Sequence, residues 1–240
     1  MAMSEHTAKA FDVDLQELTR MEAEMGGLAE KQIADSVDAL ARRDADRAQR
    51  SVASDPSIDA LQREIEEKAV LTIARRQPMA VDLREVVSAL RVSNDLERIG
   101  DLAKNIGKRV LALDGEFYPP KLIRGVEHMG ALVLGQLKEV LDSYARHDLK
   151  KAMAVWNGDE EIDAMCTSLF RELLTYMMED PRNITFCIHL MFCAKNIERM
   201  GDHATNIAET VYYMIEGHAI ADQRPKGDTT TTFATLATEK

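Results

Sequence analysis

The heptad DLERIGD at residues 95–101 returns as NIERMGD at 196–202, and it closes a repeat that runs through most of the chain. ARRDADRA (41–48) matches ARHDLKKA (145–152), and DPSIDAL (55–61) matches DEEIDAM (159–165), both at a separation of 104 residues. Gln77-Pro78 matches Asp180-Pro181 at 103 and the heptads match at 101, a drift that a few small deletions explain. A repeat of this length constrains the fold more than any single motif, because each copy has to be one supersecondary unit and the two units have to pack together.

Within each unit, apolar residues recur at three and four over three long segments, which predicts three helices. In the first unit these run from about Thr7 to Arg43, Asp44 to Arg76 and Pro78 to Leu113; in the second, from about Pro120 to His147, Asp148 to Glu179 and Pro181 to Glu216. Asp44 is placed as a cap and Pro78 as a first helical residue. Pro56, and Asn157-Gly158 in the second unit, each predict a kink or break in a middle helix. Aromatic residues make up only 5% of the chain and charged ones 30%, a balance that suits helices rather than a sandwich or barrel. The expected architecture is all-α, with two tandem three-helix bundles side by side about a pseudo-two-fold axis. The first bundle is expected over residues 1–113 and the second over 120–217, with a linker at 114–119 in the Gly/Pro-rich DGEFYPPK and a disordered, Thr-rich tail over 218–240.

The same middle and last helices carry paired acids. Residues four apart on a helix project from one face, so Glu97 with Asp101 and Glu198 with Asp202 form carboxylate stripes. Asp55 with Asp59 and Asp159 with Asp163 repeat that spacing on the middle helices. Antiparallel packing of the two helices would bring four carboxylates to one site in each unit. Four close carboxylates repel unless a cation sits among them, either a metal or a set of Arg and Lys side chains. All-oxygen ligands favour Mg²⁺, Mn²⁺ or Fe³⁺, with Zn²⁺ possible but short of its usual Cys or His partners. Asn105 and Asn206, four residues beyond each Asp, are candidate amide-oxygen donors. The plain alternative is a solvated helix surface paired with Arg98 and Arg199. Gly100 and Gly201, mid-helix where Ala would be about 1 kcal/mol better, suggest a close helix–helix or ligand approach.

Other chemistry is thinly represented. The chain has no GxxxxGK[ST], no GxGxxG, no HExxH and no helical ExxH of carboxylate-bridged di-iron enzymes. His203 follows Asp202 but corresponds to Leu102, which points to a peripheral role, and His189 among apolar neighbours reads as a core histidine. Cys166, Cys187 and Cys193 lack a CxxC or pairing framework and read as core thiols in a reducing compartment. With 41 acidic against 30 basic residues the formal charge is −11, which disfavours nucleic acid and anionic lipid as partners. The opening MAMSEHTAKAFDVD has no secretory pattern and the most apolar stretch, FCIHLMFCA, is too short to span a bilayer. A cytoplasmic protein that meets membranes only peripherally or through partners is expected.

Together, RRQP then DLR, the two heptads, YMMEDPR between the helices of the second unit, and FCAKNIERMGD resemble the PhoU family of bacterial phosphate-uptake regulators, from about residue 8 to 217. The resemblance implies a non-enzymatic negative regulator of phosphate uptake and of the phosphate-starvation regulon. Such a protein relays the state of a phosphate ABC transporter, through its ATPase subunit, to the PAS region of a sensor histidine kinase. It also implies homodimers and, in some members, multinuclear metal sites, which would fall on Asp55, Asp59, Glu97, Asp101, Asp159, Asp163, Glu198 and Asp202. Pro56 and the exchange of Asp95 for Asn196 depart from a symmetric pattern. From the residues alone, a carboxylate-bridged metalloenzyme and a metal-free interaction bundle stand as alternatives.

Overall fold

A computed structural model describes residues 2–113, 122–222 and 224, with side chains from Ala10 onward. The first unit consists of α1 (Ala2–Arg42), α2 (Ala45–Arg76) and α3 (Val81–Ala112). The second consists of α4 (Arg124–Arg146), α5 (Leu149–Asn157), α6 (Asp159–Glu179), a 3₁₀ turn at Pro181–Asn183, and α7 (Ile184–Glu216). No strand occurs among the described residues. The expected linker at 114–119 and most of the tail lie outside them.

The repeat reappears in the corners. Asp44 caps α2 by accepting the Arg47 N–H at 2.8 Å, and Asp148 caps α5 by accepting the Lys151 N–H at 3.2 Å. The preceding residues, Arg43 (φ 58°) and His147 (φ 53°), both turn the chain through the left-handed region. A side-chain oxygen satisfies an amide that would otherwise be orphaned, which is why both units turn at the same place.

One expected break is corrected and the other is found. α2 runs unbroken through Pro56, because breaking there would sacrifice a helix whose Ser51, Asp55, Ile58 and Ile65 are all buried. One missing rung costs about 3 kcal/mol and does not outweigh that face. In the second unit the helix does stop, at Gly158, whose N–H reaches back to Ala154 and Val155 before α6 starts at Asp159. Nor is Pro78 the first residue of α3. Gln77 ends α2 in the left-handed region (φ 50°), and Ala80 (φ 52°, ψ −110°) leads into Val81. An L-residue is strained at that Ala80 conformation and glycine is not. Ala80→Gly is therefore expected to stabilise the protein by about 1 kcal/mol, read as a rise of ~2–4 °C in melting temperature.

α3 and α7 form the spine. Each packs against its own bundle, and the two pack against each other, with a second contact between α1 and α4. The apolar residues interleaved with the repeated acids face the core: Leu96, Ile99, Ala103 and Ile106 on α3, and their repeat partners Ile197, Met200, Ala204 and Ile207 on α7, are fully buried. Burial of one face turns the acids of the same helices outward, toward α2 and α6. The three cysteines are buried and form no disulfide, and burial pushes the Cys193 thiol up to about 12. No helix among the described residues is long and apolar enough to cross a membrane.

Candidate carboxylate sites

In the first unit, α2 supplies Asp55 and Asp59 and α3 supplies Glu97 and Asp101. Lys104, one turn beyond Asp101, places its ammonium 2.6 Å from Asp55 Oδ2 and also hydrogen-bonds Asp101. Arg98 flanks the group, 3.4 Å from Glu97 and 3.8 Å from Asp101. Partial burial pushes the Glu97 carboxyl up; Asp101 adds to this, Arg98 opposes it, and Asp59 and Asp55 add further. The four acids of this unit thus share one field. Burial works against the charge on Lys104, but its hydrogen bonds to Asp101 and Asp55 dominate and hold its pKa above the ordinary lysine value.

In the second unit α6 supplies Asp159 and Asp163, and α7 supplies Glu198 and Asp202. This site is deeper: Asp159, Asp163 and Glu198 are 2%, 4% and 5% exposed. Lys195 bonds Glu198 Oε1 at 2.8 Å, while Glu198 Oε2 is buried without a partner. Burial pushes Glu198 up, Lys195 offsets part of that, and Asp202 and Asp163 add to it. The place of Lys104 is taken by Thr205, whose hydroxyl lies 3.0 Å from the Gly201 carbonyl and 3.3 Å from Asp159 Oδ1. The central cation comes instead from beyond α7: Arg224 donates from Nε to Asp159 Oδ2 at 3.0 Å, and its Nη2 lies 2.9 Å from both Asp159 and Asp202.

Sequence reading missed a further pair. Gln32 on α1 and Gln136 on α4 stand 104 residues apart, in the register already set by ARRDADRA and ARHDLKKA. Gln32 donates to the Ser51 carbonyl at 3.1 Å and Gln136 to the Gly158 carbonyl at 3.0 Å, leaving both Oε1 atoms buried and unpartnered. These oxygens border Gly100 and Gly201: a Cβ at Gly100 would lie 3.1 Å from Gln32 Oε1 and 3.0 Å from Ile58, and one at Gly201 3.7 Å from Gln136 Oε1 and 3.2 Å from Ile162. The glycines thus permit close approach of α2 and α6. Since the helix-propensity gain of about 1 kcal/mol is available at both positions, Gly201→Ala is expected to be neutral or mildly stabilising and Gly100→Ala destabilising. Urea melts of the two variants check the contrast.

The expected roles of Asn105 and Asn206 do not match this geometry. Asn105 is exposed, and Asn206 donates to Asp95 Oδ1 at 3.2 Å, where His203 Nδ1 also sits at 2.8 Å. Asp95 therefore ties α3 to α7, a role its repeat partner Asn196 does not share in charge, and His203 is turned toward Asp95. His189 is half-buried on α7, and burial lowers its pKa.

Oxygen-only donors and the unpartnered atoms of Glu198, Gln32 and Gln136 suit a hard cation. Among the described residues, however, no three of His, Cys, Asp and Glu already converge as ligands; Lys104 and Arg224 lie between the acids instead.

The PhoU domain family model matches residues 23–110 and again 126–211. The phosphate-specific transport system accessory protein PhoU homolog of Rhizobium meliloti (strain 1021) is 58% identical over 231 residues, covering 96% of this chain and 98% of its own. The homolog of the same description from Caulobacter vibrioides (strain NA1000 / CB15N) is 54% identical, covering 94% and 98%. Among solved structures, PhoU from Pseudomonas aeruginosa superposes with a TM-score of 0.84 at 40% identity, covering 87% of this chain and 100% of that one. The phosphate transport system regulatory protein PhoU from Streptococcus pneumoniae gives 0.81 at 29% identity, covering 88% and 100%. With both repeats matched and relatives of this identity spanning nearly its whole length, the chain belongs to the PhoU family.

Proposed function

We propose that this chain is a non-catalytic accessory and regulatory protein of phosphate transport, and that it acts as an adaptor: a negative regulator between the ATPase subunit of a phosphate ABC transporter and the PAS region of a sensor histidine kinase. The observation that carries the accessory role is the near-full-length match to relatives named as phosphate transport accessory proteins. The adaptor role is supported by an all-helical body with a large acidic excess, −11 overall, which speeds encounter with basic protein surfaces. We place it in the cytoplasm, reaching the membrane through its partners, and as a homodimer.

The proposal extends to metal. Asp55, Asp59, Glu97 and Asp101 in one unit, and Asp159, Asp163, Glu198 and Asp202 in the other, are the residues that would hold Mg²⁺, Mn²⁺ or Fe³⁺. A bound cation there would neutralise the acidic stripe and give a partner a local positive feature to read. The test is a phosphate-starvation promoter reporter in a deletion strain, with pull-downs of the ATPase subunit and the kinase's cytoplasmic region at two salt concentrations. Expected are derepression in high phosphate and retention of both partners at low salt that weakens as salt rises. Normal repression in the deletion strain, with neither partner retained, would refute the adaptor reading.

A further inference from the structure

The two sites are alike in their acids and unlike in what neutralises them. Lys104 belongs to α3 itself, three residues from Asp101, so its ammonium stays at the first site wherever the rest of the chain moves. Its repeat partner is Thr205, which carries no charge. At the second site the bridging charge is Arg224, joined to α7 through Gly217, a left-handed C-cap (φ 82°), and the residues that follow it. Arg224 contacts Asp159 and Asp202 on two different helices, α6 and α7, and so pins the segment after α7 across the mouth of that site. Glu198 of the same site is buried with Oε2 unpartnered, and the Oε1 of Gln136 is also buried without a partner. Two buried, unsatisfied oxygens in the same cluster as an exchangeable cation leave acceptor capacity for a competing ligand.

We propose that the sites are inequivalent by construction: Lys104 closes the first to metal, whereas a hard divalent cation entering among Asp159, Asp163, Glu198 and Asp202 displaces Arg224 and frees the segment after α7. This inference rests on the metal reading given above, narrows it to the second unit while Lys104 is present, and adds its regulation. The exchange adds one positive charge, since a divalent ion replaces a guanidinium that meets only Asp159 and Asp202 of the four carboxylates, and the cluster has the negative charge to take it up. An intramolecular competitor scales apparent affinity down to the fraction of time it leaves the site open. Loss of Arg224 therefore tightens binding.

The test is Mn²⁺ titration by calorimetry with elemental analysis of stoichiometry, together with amide hydrogen exchange of Ala219–Asp222, on the full chain. Expected are one Mn²⁺ per wild-type chain, lost in Glu198→Gln; about tenfold tighter binding in Arg224→Ala; and faster exchange of Ala219–Asp222 in wild type when Mn²⁺ is added. Lys104→Gln, which keeps most of the aliphatic stem, and Lys104→Thr, which installs the residue of the second unit, are both expected to bind two. Two Mn²⁺ in wild type, or one in both Lys104 variants, would overturn the role given to Lys104. Unchanged affinity in Arg224→Ala, or binding without faster exchange, would overturn the displacement of Arg224. No Mn²⁺ bound by wild type, Arg224→Ala and both Lys104 variants would defeat the metal reading itself.

Discussion

Glu22→Gln is expected to stabilise the protein at pH 7 by on the order of 3 kcal/mol, and to leave its stability at pH 4 almost unchanged. Glu22 lies on α1 where the two bundles meet, 2% exposed, beside a cavity of about 60 Å³ whose lining includes Thr19 of α1, Glu85 of α3, Tyr144 of α4 and His147. Neither of its oxygens has a hydrogen-bond partner of ordinary geometry. Burial pushes its carboxyl from 4.5 up to about 8, and the nearby Tyr144 hydroxyl offsets that only in part. The folded protein therefore holds a proton between those values that the unfolded chain has released. The associated stability is complete below the unfolded pKa, falls by about 1.4 kcal/mol per pH unit above it, and is lost as pH rises through the folded value. A glutamine cannot ionise, so this slope disappears. Urea melts of both proteins from pH 4 to 9 check the prediction; parallel curves would mean that Glu22 folds ionised.

Lys104→Ala is expected to cost about 2 kcal/mol, and Lys104→Ala with Asp55→Asn to recover most of that loss. Removing one partner of a buried ion pair leaves the other charge desolvated, at a cost of ~3–5 kcal/mol. The Lys104 side chain is 21% exposed and that of Asp55 7%, so solvent screens part of the effect. The penalty comes from the stranded carboxylates rather than from a lost attraction, so neutralising Asp55 relieves it. A double-mutant cycle by chemical denaturation gives the coupling directly. If the double variant is as unstable as the single one, the loss comes from packing of the lysine stem.

The repeat made the fold legible because it is a pattern of apolar spacing, and burial acts on spacing. Leu96, Ile99, Ala103 and Ile106 recur at the matching positions of α7, and both sets are buried in the core. Asp44 and Asp148 were legible as corners for an equally local reason: a carboxylate three residues ahead of an amide can cap it anywhere. Breaks were harder to read. Pro56 carries a local penalty, but whether a helix survives it depends on what the flanking face buries, and that is a property of the packed bundle.

The eight acids are visible in the sequence, since spacing of four on repeated helices needs no partner to be recognised. Their counter-charges are not. Lys104 and Thr205 occupy one repeat position and read as ordinary drift, and Gln32 and Gln136 lie on helices with no acidic motif of their own. Arg224 stands outside the repeat. The sequence by itself determined two copies of a helical unit and the helix faces that carry paired carboxylates, because both follow from periodicity along one chain. Only the tertiary structure decided which cation meets those carboxylates, a lysine of the same helix in one unit and an arginine from beyond the last helix in the other, because electrostatic pairing depends on distance in space, which sequence separation does not report.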